Sequence, residues 1–200
     1  MTLREIAMHC KIKQSEQEAD KYKQQSDLYE SVLTGDVTEF VVPENWTNIR
    51  TCAFRNCQSL SNVILHNNIT HINFGAFFSC TSLTNITLPN KVVLVADNAF
   101  NTCRSLTSIN LPSSVTRVAN TTFIGCKSLT NVTLGNNFNC NNLDLSASTN
   151  FSVDTLVAML TALADRSNQS AYTLTLGATN LAKLSDEQKA IATDKNWTLA

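Results

Sequence analysis

Phe54, Phe77, Phe100 and Phe123 stand 23 residues apart, and the same step separates Cys57, Cys80, Cys103 and Cys126. Leu60, Leu83, Leu106 and Leu129 keep it, as do the pairs Val63/Leu65, Ile86/Leu88, Ile109/Leu111 and Val132/Leu134. So many columns in one register constrain the fold more than any local propensity, because a 23-residue unit cannot bury its own apolar side. The units must stack. Stacked strands lie about 4.8 Å apart, so equal columns become ladders running along a solenoid. Phe, Cys, Leu and the two aliphatics form the inward ladders, and burial of each large member contributes about 1.5–3 kcal/mol before entropy is subtracted.

Each unit reads as a short strand, a bend marked by Pro or a polar residue, a second extended piece, and a tight turn carrying Ala-Phe-x-x-Cys. Projected back, the period sets Phe40/Val42 on the strand pair, Pro43 beside Pro89 and Pro112, and Trp46/Ile49 on Val115/Val118. The array therefore opens near Val37 and runs over residues 37–146, followed by a capping region at 147–200 and preceded by a helical segment at 1–36. A solenoid exposes raw core at each end, so both flanking segments are expected to contain covering helices. The first opens with a Thr2-x-x-Glu5 capping box and closes before Gly35; its polar centre leaves open whether it caps the array or docks to a partner.

In the last segment, residues 152–165 place Val153, Leu156, Val157, Leu160 and Leu163 on one side of a helix. Residues 172–176 alternate as a strand, Ser185-x-x-Gln188 opens a second helix, and residues 196–200 close as a strand. Leu176 and Leu199 are again 23 residues apart, which predicts two enlarged rungs continuing the same sheet.

The pattern A-F-x-x-C-x-S-L-T-x-I-x-L-P resembles the BspA-like leucine-rich repeat family, with L-x-x-I-x-L at Leu83/Ile86/Leu88 and at Leu106/Ile109/Leu111. Departures are Thr122 for Ala, His66 and Gly135 for Pro, and a shortened last turn. The resemblance implies a right-handed α/β superhelix of 23-residue repeats and display on a surface.

Composition excludes several functions. Formal charge is −1, so no basic field would hold nucleic acid. No run of about 18 apolar residues exists, so no membrane span is expected. The N-terminal stretch has no apolar run of signal-peptide length, which makes a virion component or a surface protein with its signal removed the favoured locations. No Walker, Rossmann, H-E-x-x-H or G-x-S-x-G pattern occurs, and Glu44, Asp97 and Asp144 are too scattered for an acid and base pair. No enzyme activity, cofactor or metal is expected. The in-register cysteines point their Cβ atoms in parallel, which disfavours disulfides, and they lack metal-type spacing; they read as small buried thiols. His66 and His71 sit five apart with no third ligand and read as surface histidines.

What remains is the outward side of the strands. Alternation turns Asn85 and Thr87 outward, and the same columns hold Asn62/Ile64, Ser108/Asn110, Asn131/Thr133 and, in the last segment, Thr173/Thr175. Asn62, Asn85, Thr87, Ser108, Asn110, Asn131 and Thr133 form the candidate ligand face, uncharged and rich in hydrogen-bonding groups. The expected function is non-catalytic recognition of a protein or glycan. The competing class is a structural spacer or assembly subunit.

Overall fold

The computed structural model describes residues 37–200, so the expected helix over residues 1–34 lies outside the described residues. Each rung contributes two short parallel strands. One line of strands runs β1 (Glu39–Val41), β3 (Asn62–Ile64), β5 (Asn85–Thr87), β7 (Ser108–Leu111) and β9 (Asn131–Leu134). The second runs β2 (Asn48–Ile49), β4 (His71–Ile72), β6 (Leu94–Val95) and β8 (Arg117–Val118). Phe40 pairs with Val63, Ile86 with Ile109 and Ile109 with Val132; Ile49, Ile72, Val95 and Val118 pair in series. Every pairing is one repeat apart, so the sequence period is the hydrogen-bond register.

The strands are short because punctuation follows them. Pro43, Pro89 and Pro112 have no N–H to continue the ladder. Their carbonyls instead accept from Trp46, Val92 and Val115 at 2.9, 3.0 and 3.0 Å, turning the chain toward the second strand. Gly135 occupies the next place in this column, where a Cβ would collide with the backbone nitrogen of Ser113.

Two further columns hold left-handed backbone: Cys52, Gly75 and Asn98 (φ 56, 59 and 57°), and Asn56, Ser79, Thr102 and Gly125 (φ 64, 58, 63 and 78°). Such conformations are costly for residues with a Cβ. All but Gly125 aim their N–H at the following rung: Asn56, for example, donates to Phe78 O (2.8 Å), Ser79 to Asn101 O (2.9 Å) and Thr102 to Ile124 O (2.7 Å). The tight turn is thus shaped by the bond that stacks it.

Inside, Phe54, Phe77, Phe100 and Phe123 form a parallel stack with centroids 5.1, 5.3 and 5.9 Å apart and planes within 5°. Phe40 closes its first end edge-on at 4.9 Å. The inward Leu and Ile columns that surround this stack are buried, except for the half-buried Leu65. Thr122, in the alanine column, is also buried and donates its hydroxyl to Ala96 O at 3.2 Å.

Beyond the array lie β10 (Leu143–Asp144), α1 (Val153–Ala162), β11 (Tyr172–Thr175), α2 (Ala178–Leu181), α3 (Asp186–Thr193) and β12 (Trp197–Leu199). Ser152 caps α1 through Thr155 N, and the Ser185–Gln188 capping box opens α3 as expected. The short α2 was not anticipated. Leu199 pairs with Leu174, not Leu176, and Leu174 with Leu143, so the spacing of Leu176 and Leu199 is not the register. The inserted helices lengthen each excursion and detach the spacing from the pairing. β10, β11 and β12 form their own sheet, and a bridge between Arg117 and Asn141 joins it to the second line of strands. Thr173 and Thr175 therefore do not continue the columns of Asn131 and Thr133. That place is taken by α1, which packs beside β9.

Candidate functional site

The outward face of the first line is built by alternation. Ile86, Ile109 and Val132 point into the core, so Asn85/Thr87, Ser108/Asn110 and Asn131/Thr133 stand outward in three adjacent pairs. These six expected residues line one shallow depression of about 200 Å³. Asn62 lies one rung further out and donates to the Glu39 carboxylate at 2.7 Å. Beside it, Val41 and Ile64 pair across β1 and β3 and are exposed, so the face is apolar at its first end and polar along the rest.

Not all of these groups are free for a ligand. Asn110 folds back on the preceding rung, where its Oδ1 accepts from Leu88 N at 2.8 Å and its Nδ2 donates to Leu88 O at 3.1 Å. One side-chain amide thereby satisfies both backbone groups just past the end of β5. Asn85 Nδ2 donates to Thr84 Oγ1 at 3.3 Å, a single bond that leaves its carbonyl oxygen open. Thr87, Asn131 and Thr133 are exposed, and Ser108 is half-buried.

A neighbouring column escaped the sequence reading. Ser61, Thr84, Thr107 and Thr130 each donate a side-chain hydroxyl to the backbone carbonyl one repeat earlier, at 2.9, 3.3, 3.0 and 3.4 Å. A hydroxyl owns one proton, so this row keeps only acceptor capacity toward solvent. The signal was present, since the residue after each ladder leucine is always Ser or Thr. Its orientation toward a backbone carbonyl was not.

The ladder cysteines are buried and free of disulfides. Their thiols are not merely apolar filler, since Cys80, Cys103 and Cys126 donate to Phe54 O, Phe77 O and Phe100 O at 2.9, 3.1 and 3.1 Å. Loss of hydration raises the Cys57 thiol to about 11 and the Cys126 thiol to about 12, and pushes Cys80 and Cys103 higher still. Thiolate chemistry at neutral pH is suppressed there.

The two histidines face different partners. His66 lies within hydrogen-bond distance of Pro43 O (2.9 Å) and accepts from Asn68 N, whereas His71 Nδ1 meets Thr70 Oγ1 at 2.8 Å. Thr70 already donates its only hydroxyl proton to Thr47 O, so His71 Nδ1 carries the proton of that contact. Among the described residues no group of three or more His, Cys, Asp or Glu side chains could hold a metal ion, and no helix is long and apolar enough to cross a membrane.

Comparison with solved structures returns bacterial leucine-rich repeat proteins. A leucine rich cell surface protein from Faecalibacterium prausnitzii shares 26% identity over 49% of this chain and 32% of its own, with a TM-score of 0.44. A leucine-rich repeat protein from Eubacterium ventriosum shares 21% over 58% of this chain and 34% of its own (TM-score 0.49). The T. pallidum leucine rich repeat protein shares 22% over 82% and 72% (TM-score 0.43). The match thus spans about a third of each of the first two proteins. No curated protein matches. The profile of the BspA type leucine rich repeat region matches in six copies over residues 28–151, and the chain belongs to that family.

Proposed function

We propose that the chain is a non-catalytic recognition module, an adhesion or receptor-binding unit that holds a protein or glycan across the outward columns of β5, β7 and β9. The observation that carries this is the depression lined by Asn85, Thr87, Ser108, Asn131 and Thr133, in which short polar side chains project from three strands held in register by the pairing of β7 with β5 and β9. Such groups bind with little loss of side-chain entropy. The long Lys and Glu side chains that would cost more are absent from these positions. Family membership supports the same conclusion, because leucine-rich repeats typically serve as interaction and surface modules.

The scaffold in this proposal is a right-handed superhelix with residues 147–200 closing its last rung. Surface display fits, as for the F. prausnitzii cell surface protein, and so does a phage tail or other virion part that carries its recognition face outward. A spacer or assembly subunit is the alternative and would leave this face idle.

Replacing Asn85, Thr87 and Thr133 together with Lys leaves every inward ladder and the Asn110–Leu88 contact in place. Binding on glycan and protein arrays is expected to drop at least tenfold, and parent binding is expected to change little between low and high salt, since the face carries almost no charge. Parent-like binding by the triple variant would identify the face as a solvated strand surface.

A further inference from the structure

The 23-residue period breaks where the second line of strands passes β8. Residues pair one repeat apart up to that strand, but Arg117 meets Asn141, 24 residues on, and Asn142 then takes a left-handed conformation (φ 59°). The turn before β8's successor registers the same slip. Cys52 N and Gly75 N donate to carbonyls of the following rung, Phe74 O and Asp97 O, at 2.9 and 3.0 Å. Asn98 N, next in that column, donates instead to the Thr121 hydroxyl at 3.0 Å. At this mismatch lies a cavity of about 540 Å³, larger than the depression on the outward face. Its polar groups are mostly unused. Arg117 and Asp97 both line it, yet among the described residues neither is ion-paired, and the Arg117 guanidinium makes no hydrogen bond. Thr121 Oγ1 donates to Asp97 Oδ1 at 3.4 Å, which leaves Oδ2 open. Asn141 Oδ1 accepts from Thr173 N at 3.1 Å, which leaves its Nδ2 hydrogens open. The side chains of Asn120 and Asn142 make no hydrogen bond among the described residues.

We propose that this cavity binds a uronic acid residue of a glycan. Its size falls within the range of about 300–1,000 Å³ usual for small-ligand sites. The planar fork of Arg117 suits a carboxylate, which it can hold through two parallel hydrogen bonds. Asp97 is an acceptor only, so it takes the hydrogens of neighbouring ring hydroxyls. The amide groups of Asn120, Asn141 and Asn142 donate to the hydroxyl oxygens. Asp97 also selects among anions. A phosphate dianion would bring two charges against its carboxylate and no row of hydroxyls to satisfy it. A sugar acid brings one charge and several hydroxyls. The site lies on the second line of strands, so it goes beyond the outward face of the first and stands whatever that face holds.

Titration of the full chain with D-glucuronate, followed through amide NMR shifts, tests it. The amides of Arg117, Asn120, Thr121 and Asn142 are expected to shift saturably, with a Kd of about 1 mM or below. Those of Thr87 and Asn110 should stay unmoved, so this site and the outward face are read separately. D-glucose lacks the carboxylate and acetate lacks the hydroxyls, and each should bind at least about tenfold more weakly. Inorganic phosphate should not displace the sugar acid. Arg117→Gln, at an exposed position outside every inward ladder, should erase the preference for glucuronate over glucose while the core amides keep their parent shifts. Asp97→Asn should weaken both sugars. Absence of saturable shifts at the four amides, an acetate response equal to that of glucuronate, displacement by phosphate, or an undiminished preference in Arg117→Gln would each overturn the proposal.

Discussion

The repeat array and the segment that follows it are held together in different ways. In the array each rung meets its neighbour through repeated ladder and backbone contacts, and charged side chains play little part. After β10 the contacts are long-range, irregular and carried by cations. Lys195 Nζ donates to Thr161 O, Leu163 O and Leu160 O at 2.7, 3.0 and 3.4 Å, which gathers the last carbonyls of α1. Lys183 Nζ donates to Thr149 O (2.7 Å) and Phe151 O (2.9 Å) in the approach to the same helix. Arg166 is buried over the Tyr172 ring at 3.3 Å, with its guanidinium donating to Ser170 O and to Asn139 Oδ1. A periodic region can satisfy its backbone with more backbone. A region that ends the period must bring in long side chains to do so.

Alkaline pH should separate the two regions most sharply. The ladder thiols have folded pKa values raised by burial, so the folded state keeps protons that the unfolded chain loses above the ordinary thiol value near 9. Their contribution is complete below that pH and is lost as pH rises, by up to about 1.4 kcal/mol per pH unit for each buried thiol. Urea midpoints measured from pH 8 to 10 should fall steeply. Residues 147–200 contain no cysteine, so a variant with Cys80, Cys103 and Cys126 all replaced by Ala should show a much shallower slope. An unchanged slope would move the alkaline sensitivity out of the array.

Phe77→Ala comes next in size. It removes a ring stacked on both faces and should cost about 3–5 kcal/mol in urea unfolding. In the second region, Arg166→Leu removes donors to Ser170 O and Asn139 as well as the contact with Tyr172, for an expected loss of about 2–3 kcal/mol. A loss as large as that of Phe77→Ala would mean that the final segment governs the whole array. Lys195→Met keeps the aliphatic stem but leaves the α1 carbonyls without their cation. It should cost about 1–2 kcal/mol, read by thermal unfolding at fixed pH, with added salt narrowing the difference.

The same contrast explains what was legible in the sequence. Phe54 to Phe123 and Cys57 to Cys126 announced their ladders because a rung that packs on its copy must repeat its letters. Ser152 and the Ser185–Gln188 box announced helix starts because capping is local. The pairing of Leu199 with Leu174 was not legible, since no column connects them across α2 and α3. On the outward face, alternation identified the six residues of the depression, but residue type could not distinguish Asn110, turned back onto Leu88, from Asn85 and Asn131. The end of the first line of strands at β9 was invisible as well, because nothing in the columns says that α1 stands where another strand would have been.

The left-handed turns with their forward-pointing N–H groups have one more consequence. Each rung offers its successor the same donors in the same places, so a rung cannot sense how many others precede it. Duplicating or deleting one 23-residue unit inside the array would present α1 with an unchanged last strand and change the molecule's reach by about 4.8 Å. Length is then a property that inheritance can adjust in fixed steps, without redesigning either end.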